Sequence, residues 1–175
     1  LEDTFEIPTL VCIGSQSSGK SSVLNRLLNF NIIPIGSTME TRTPINIELI
    51  NTHEHTSNNY YVEFGSYHLG TWRSKVIIPI LLDSLNELAL SKVKDEIKDL
   101  TKLYAGDEMG ISNKEINIRL YSPLVPDLNF IDLPGLTMIA CTDKGQPKDI
   151  KDQIKQLLIK YIEPSKNIIM CVMPA

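Results

Sequence analysis

The sequence predicts a three-layer α/β/α domain around a mostly parallel central sheet. Short apolar segments rich in β-branched residues alternate along the chain with segments whose apolar residues recur at helical spacing. Apolar residues make up 42% and charged residues 22% of the 175 positions, which is an ordinary globular composition. A chain of this length has enough apolar surface for one core, so we expect a single domain.

Five elements are predicted in the first third of the chain. Thr9–Ile13 is short, apolar and β-branched and ends at a glycine, which indicates a buried parallel strand. Ser18–Phe30 carries apolar residues at helical spacing and is predicted to be a helix. Asn31–Pro44 contains two prolines and a glycine, so we expect a loop there. Ile45–Asn51 alternates in the manner of a strand, and Tyr60–Phe64 is a shorter candidate strand.

Five more elements follow. Leu81–Leu103 has apolar residues at helical spacing and predicts one or two amphipathic helices. Glu115–Tyr121 alternates as a strand, and Leu128–Leu133 is an apolar strand that ends before Pro-Gly. Asp149–Ile162 is predicted to be a helix, and Ile168–Val172 to be a last buried strand. An exposed edge there would be an aggregation hazard.

Charge and cysteine content narrow the function classes. The net charge is −4, so we expect no nucleic-acid partner. The cysteines Cys12, Cys141 and Cys171 are odd in number and far apart, which argues against a disulfide framework or a zinc site and fits the cytoplasm. Cys12 and Cys171 lie in strand patterns and are predicted to be core residues. The longest apolar run, Val76–Leu82, is too short to span a bilayer. The chain begins with Leu and has no basic leader, so we expect a piece of a longer protein rather than a signal peptide.

A glycine-rich loop predicts phosphate binding. The segment GSQSSGKS, from Gly14 to Ser21, fits the GxxxxGK[ST] pattern and lies between a predicted strand and a predicted helix. Its glycines allow several backbone N–H groups to point at one anion, and the helix N-terminus adds partial positive charge. Lys20 is expected to reach the β- and γ-phosphates, and the Ser21 hydroxyl to ligate Mg²⁺. The sequence therefore predicts a P-loop NTPase fold whose nucleotide-binding residues are Gly14, Ser15, Gln16, Ser17, Ser18, Gly19, Lys20, Ser21 and Ser22.

A second anchor for the nucleotide follows the strand Leu128–Leu133. Asp132 stands at its end in the sequence Asp-Leu-Pro-Gly, where a carboxylate can hold Mg²⁺ through water. The Gly135 N–H is then expected to touch the γ-phosphate. An NTPase also needs a loop that carries a hydroxyl to the metal, and the spacing leaves three candidates open: Thr38, Thr41 and Thr43.

Together these residues resemble the GTPase domain of the dynamin superfamily. The matching stretches are IGSQSSGKSSVLNRLL, IIPIGSTMETRTP, INIRLYSPLVPDLNFIDLPGLT, GQPKDIKDQIKQLLIKYI and IIMCVMPA. Under this resemblance residues 1–175 are part of such a domain, stopping before the motif that reads guanine. The implied function is Mg²⁺-dependent GTP hydrolysis by a membrane-remodelling protein that cycles between GTP and GDP.

The resemblance also implies roles for single residues. Gln16 orients the attacking water, because Leu136 stands near the position where many small GTPases keep a catalytic glutamine. Thr41 binds Mg²⁺ through its hydroxyl and positions the water through its carbonyl. Asp132 and Gly135 sense the γ-phosphate. Ser17, with the backbone of Gly36 and Thr38, holds a monovalent cation, Na⁺ or K⁺, in place of an arginine finger.

Partners and alternatives follow from the same resemblance. It implies a homo-oligomer through paired GTPase domains, and membrane contact through regions outside this chain. Family members often have arginine at the position of Ile35 and glycine at that of Thr38. These departures keep open a nucleotide-dependent, self-assembling scaffold with little hydrolysis. A P-loop ATPase of another family is a further alternative, because no residue present reads the base.

Overall fold

The computed structural model describes residues 8–35, 41–53, 60–80, 86–106, 110–136 and 146–174. The elements in chain order are β1 (Thr9–Gly14), α1 (Lys20–Leu28), β2 (Ile45–Ile50), β3 (Tyr61–His68), β4 (Thr71–Pro79), α2 (Asn86–Ala105), β5 (Ile116–Tyr121), β6 (Leu128–Asp132), α3 (Ile150–Ile162) and β7 (Asn167–Val172). The predicted α/β fold is confirmed.

All described strands join one sheet in the order β4-β3-β5-β2-β6-β1-β7. β1 pairs in parallel with β6 and with β7, and β2 pairs in parallel with β5. The sheet is mixed because β2 runs antiparallel to β6 and β3 runs antiparallel to both β4 and β5.

The direction of β2 places two distant segments side by side. In the antiparallel β2–β6 ladder, Ile45 lies opposite Asp132. In the parallel β2–β5 ladder, Ile45 lies opposite Ile116. The chain entering β2 therefore runs between the carboxyl end of β6 and the beginning of β5.

Helices cover both faces of the sheet, as predicted. The larger core cluster joins α1 and α2, through Leu24, Leu28, Val93 and Ile97, to inward residues of the strands, including Cys12. A second cluster joins Leu157 and Tyr161 of α3 to Val11, Ile131 and Leu133. Successive residues of a strand point to opposite faces, so Val11 and Cys12 place these clusters on the two sides of the sheet.

The antiparallel hairpin of β3 and β4 is the main departure from the sequence prediction. β3 continues to His68, beyond the predicted end at Phe64, and β4 is not predicted at all. The apolar residues of β4 gather at its C-terminal end, so its exposed first half shows no alternation. Pro79 is tolerated because β4 lies at the edge of the sheet, where a strand leaves one side unpaired.

Strand β7 lies at the opposite edge of the sheet, and none of its side chains is buried. This corrects two predictions, that Ile168–Val172 is a buried strand and that Cys171 is a core residue. Cys12 is buried in β1, as predicted, but Cys171 is exposed rather than part of the core. Within the described residues β1 is the only strand paired with β7, and the side chains of Ile168 and Ile169 are also exposed. Among the helices of the described ranges, none is both long and apolar enough to cross a bilayer.

Candidate functional site

The turn between β1 and α1 brings several backbone N–H groups together. Ser17 and Gly19 have φ of 63° and 86°, in the left-handed region. The N–H of Ser18 donates to the Ser15 carbonyl (3.1 Å), which closes the turn. Lys20 then begins α1, whose first-turn N–H groups have no partner within the helix. Successive N–H groups on such a turn form a concave site for an anion, and the helix dipole adds to its attraction.

Close packing requires glycine at both ends of this site. A Cβ on Gly14 would lie 2.6 Å from the Val172 carbonyl oxygen. A Cβ on Gly135 would lie 2.9 Å from the Cα of Gln16 and 3.1 Å from its nitrogen. These neighbours are backbone atoms, so they have little room to move aside. The glycines that the motifs specify are therefore needed for the close approach of three segments: the β1–α1 turn, the end of β7 and the segment after β6.

Two main-chain hydrogen bonds join the phosphate loop, residues 14–21, to the segment after Asp132. The N–H of Gln16 donates to the Leu136 carbonyl (2.9 Å), and the N–H of Leu136 donates to the Gly14 carbonyl (2.8 Å). Ser15 and Leu136 form a parallel bridge, so the pairing of β1 with β6 resumes beyond the strand ends.

A buried carboxylate joins the three predicted motifs. Lys20 Nζ donates to Asp132 Oδ1, and Thr41 Oγ1 donates to Asp132 Oδ2 (3.1 Å). Asp132 is fully buried, and the side chains of Lys20 and Thr41 are 6% and 7% exposed. Removing an ammonium and a carboxylate from water costs several kcal/mol per ion, on the order of what their attraction returns. Such a buried pair is weak evidence for stability, which favours a functional reason for it.

The structure separates the three candidate threonines. Thr41 reaches Asp132, as described above. Thr43 is fully buried but donates instead to the Lys114 carbonyl, away from the carboxylate. Thr38 lies outside the described residues, as does Gly36, so the predicted monovalent-cation site is described only at Ser17, which is exposed.

Comparison with known proteins identifies the family. A sequence model of the dynamin family matches residues 10–175. The chain belongs to the dynamin family. It is 35% identical over 171 residues to dynamin of Drosophila melanogaster, covering 98% of this chain and 17% of that protein. It is 35% identical over 192 residues to dynamin-related protein dnm1 of Schizosaccharomyces pombe (99% and 24%), and 31% identical over 175 residues to dynamin-1-like protein of Mus musculus (99% and 23%).

Membership in the dynamin family, whose members are GTPases, confirms the resemblance drawn from the sequence motifs. The chain spans only about a fifth of the length of these relatives. What the complete protein acts on and assembles with is therefore a matter for proposal.

The residues of this dynamin-family site fit a Mg²⁺-nucleotide. Mg²⁺ prefers oxygen ligands, and the site offers the Asp132 carboxylate with the Thr41 hydroxyl beside it and Ser21 in the first turn of α1. The buried Ser18 Oγ has no hydrogen-bond partner in the described part of the chain, so it is available to a ligand in the loop. The described ranges hold no group of three or more His, Cys, Asp and Glu side chains suited to a metal ion. The candidate ligands thus combine one carboxylate with hydroxyls.

Sequence reasoning missed one contributor to the site and one residue that lies beside it. Leu136 contributes through its main chain, and its only sequence signal is an apolar residue after Gly135 that could extend a strand. Cys12 lies opposite Asp132 in the β1–β6 ladder. Burial, and then the charge of Asp132, raise the pKa of the Cys12 thiol to about 12. At neutral pH Cys12 is therefore an uncharged thiol and a poor nucleophile.

Proposed function

We propose that this chain forms the nucleotide-binding part of a GTPase that hydrolyses GTP with Mg²⁺, within a dynamin-like protein that remodels membranes. The observation that carries the proposal is the meeting of Lys20, Thr41 and Asp132 in one buried cluster beside the phosphate loop. The three come from the three segments that P-loop NTPases use to bind phosphate and metal.

Phosphate binding is assigned to the loop from Gly14 to Ser22. Its N–H groups and the start of α1 supply partial positive charge, and Lys20 supplies a full charge next to the phosphates. Ser21 and Thr41 would hold Mg²⁺ directly, and Asp132 through water. The metal, when bound, neutralises charge on the phosphate oxygens. Lys20 and Asp132 would then exchange their mutual contact for nucleotide and metal.

Water placement is assigned to Gln16 and to the Thr41 carbonyl. Gln16 is half-buried, and its backbone lies against Gly135, whose N–H is suited to the γ-phosphate. We assign a Na⁺ or K⁺ site to Ser17 with Gly36 and Thr38. Fixed donors aimed at developing negative charge lower the barrier because they need no reorganisation during the reaction.

Family membership supports the choice of GTP over ATP, and it supports self-assembly through paired GTPase domains. We propose that the protein works at the cytoplasmic surface of a membrane, with lipid contact supplied by other parts of the gene product. In the phosphate loop Ser15, Ser17 and Gly19 are exposed, which leaves that face accessible to a second copy.

The test is GTP hydrolysis by the intact gene product, with and without Mg²⁺, beside Lys20→Ala. We expect Lys20→Ala to lower kcat by about 100-fold or more, because it removes the charge nearest the phosphates. Equal rates for the two proteins would overturn the catalytic assignment. Faster hydrolysis of ATP than of GTP would point to another P-loop family. Nucleotide-dependent assembly without turnover would point to the scaffold alternative.

A further inference from the structure

We propose that Thr43 is a positioning residue for the GTPase reaction, because it anchors the segment that carries Thr41. The Thr43 hydroxyl ties this segment to the connection between α2 and β5, and the Thr41 hydroxyl is thereby held at Asp132. The inference rests on the proposed function, since it concerns how that reaction is arranged.

Three hydrogen bonds attach residues 42–44 to the connection before β5 and to the first residue of β5. The Thr43 side chain, fully buried, donates from Oγ1 to the Lys114 carbonyl. On either side of it, the N–H of Ser112 donates to the Arg42 carbonyl (2.9 Å) and the N–H of Ile116 donates to the Pro44 carbonyl (2.9 Å). The Thr43 hydroxyl is the side-chain member of this set, and it lies between the two main-chain bonds.

The acceptor of the Thr43 bond is itself held in place. The N–H of Lys114 donates to Ser112 Oγ (3.1 Å), and the Lys114 ammonium lies 3.9 Å from the ring centroid of Tyr104 in the last turn of α2. A carbonyl fixed by its own residue's other contacts is a firm attachment point, because little of its position depends on Thr43.

Glu115, the residue after Lys114, links the same connection to α3 on the other face of the sheet. Glu115 Oε1 accepts hydrogen bonds from the Tyr161 hydroxyl (2.7 Å) and from Lys160 Nζ (3.2 Å), both on α3. The connection before β5 is therefore attached to a helix on each face of the sheet. It is a fixed point against which the segment entering β2 is positioned.

The position of Thr41 depends on this attachment because its own segment is short. Four residues after Thr41, Ile45 enters the β2–β6 ladder opposite Asp132. Between the two, the fully buried Thr43 side chain hydrogen-bonds to the connection. Without that hydroxyl the main-chain bonds of residues 42 and 44 remain, so the fold persists while the approach of Thr41 to Asp132 loosens. Displacements of about 1 Å at a reacting group cost up to about 100-fold in rate.

A packing role would give a different result. Valine matches the shape of threonine but donates no hydrogen bond, so Thr43→Val removes the anchor and keeps the volume. Serine keeps the hydroxyl and loses only a methyl group, so Thr43→Ser keeps the anchor and reduces the packing. If Thr43 only filled space, Thr43→Val would be the milder change.

The experiment compares the wild-type intact gene product with Thr43→Val, Thr43→Ser and Lys20→Ala. We expect Thr43→Val to lower kcat for GTP with Mg²⁺ by about tenfold, part of the loss that misplacement can cause, with KM changed less than about threefold. Thr43→Ser should recover kcat to within about threefold of wild type. Hydrogen–deuterium exchange without nucleotide should be faster in residues 110–116 of Thr43→Val, because the N–H groups of Ser112 and Ile116 donate to the loosened segment and their bonds open more often. Exchange there should be unchanged in Thr43→Ser.

Two results would overturn the inference. One is Thr43→Val with wild-type kcat and wild-type exchange in residues 110–116. The other is equal impairment of the valine and serine variants, which would indicate packing alone. Failure of the proposed function looks different, because wild type and Lys20→Ala would then hydrolyse GTP equally. In that case the exchange of residues 110–116 still decides whether Thr43 is an anchor.

Discussion

The phosphate-loop side of the sheet (β6, β1 and β7) and its hairpin side (β2, β5, β3 and β4) hold charged groups in different ways. On the first side the side chains of Lys20 and Asp132 form an ion pair that is almost completely buried. On the second, Arg119 lies partly exposed between Trp72 (4.4 Å from its ring centroid) and Tyr67 (5.3 Å), and pairs with Glu48 (2.7 Å).

Each polar group in the hairpin network has an ordinary structural partner. The Tyr67 hydroxyl donates to Glu48 (2.8 Å) and accepts from Arg119 (2.7 Å), and Trp72 Nε1 donates to Glu63 (2.8 Å). Burial tends to lower the pKa of Arg119, but its hydrogen bonds to Glu48 and Tyr67 outweigh that effect and raise it. The comparison teaches that partly exposed, well-partnered charges hold the hairpin together. The buried Lys20–Asp132 pair gains little net stability, and the nucleotide binding that we propose would account for it.

The sharpest test of this comparison removes one carboxylate from each side. Asp132→Ala leaves the Lys20 ammonium buried without its partner, and we expect a loss of about 3 kcal/mol of unfolding free energy. It should also abolish nucleotide hydrolysis. Glu48→Ala should cost only about 1 kcal/mol, because its partners stay in contact with water, and it should leave hydrolysis unchanged. Urea unfolding and a GTPase assay measure the two effects.

A double variant serves as the control for the buried pair. Lys20→Met with Asp132→Leu leaves no unpaired charge, so stability should return to near wild type while activity stays absent. Equal losses for Asp132→Ala and Glu48→Ala would erase the difference between the two sides.

The second test compares one glycine from each side. In Gly135→Ala the new Cβ would press on the Gln16 backbone, so we expect nucleotide affinity to fall about tenfold, the equivalent of about 1.4 kcal/mol. Gly70, in the β3–β4 turn, has φ of 77°, and a Cβ added there would meet open space. Gly70→Ala should therefore cost about 1 kcal/mol of backbone strain and leave the affinity unchanged. Titration with a fluorescent GTP analogue measures the affinity of both variants. A reduced affinity in Gly70→Ala would contradict the expected difference between the two sides of the sheet.

The smallest expected effect concerns Cys12, which lies beside Asp132. Its pKa is about 12 in the folded protein, above the ordinary value of 9.0. Below pH 9 the thiol is neutral in both the folded and the unfolded state, so it adds no pH dependence. Between pH 9 and pH 12 only the unfolded state ionises, so the free energy of unfolding declines as the pH rises. Between pH 8 and pH 10 the wild type should lose about 1 kcal/mol more than Cys12→Ala, whose cavity cost does not change with pH. Parallel pH dependence in the two proteins would show that the thiol ionises equally when folded and unfolded.

The same contrast explains what the sequence could predict of the fold. β1, α1 and β6 are predicted closely because each has a strong apolar pattern next to a motif. The hairpin is harder to predict, because β4 has exposed side chains along most of its length and a register shift follows Phe64. Cross-strand partners such as Trp72 and Arg119 stabilise it, and such pairing leaves no local pattern.

The site was predictable in its parts and not in its arrangement. Lys20 and Asp132 each stand in a recognisable motif. Which threonine meets Asp132 depends on the antiparallel direction of β2, set by pairing between residues far apart in sequence. The bond from Thr43 to Lys114, across 71 positions, is equally invisible to spacing rules.

The main-chain bonds between Gln16, Gly14 and Leu136 have a mechanical consequence. They join the loop to which we assign the phosphates to the segment of Gly135, to which we assign the terminal phosphate, so the two segments move together. A displacement of Gly135 after phosphate release must either break both bonds or move the phosphate loop with it. Breaking them would cost about 1 kcal/mol each, several times the thermal energy in total. While both bonds hold, a movement of Gly135 therefore carries the backbone of Gly14 and Gln16 with it.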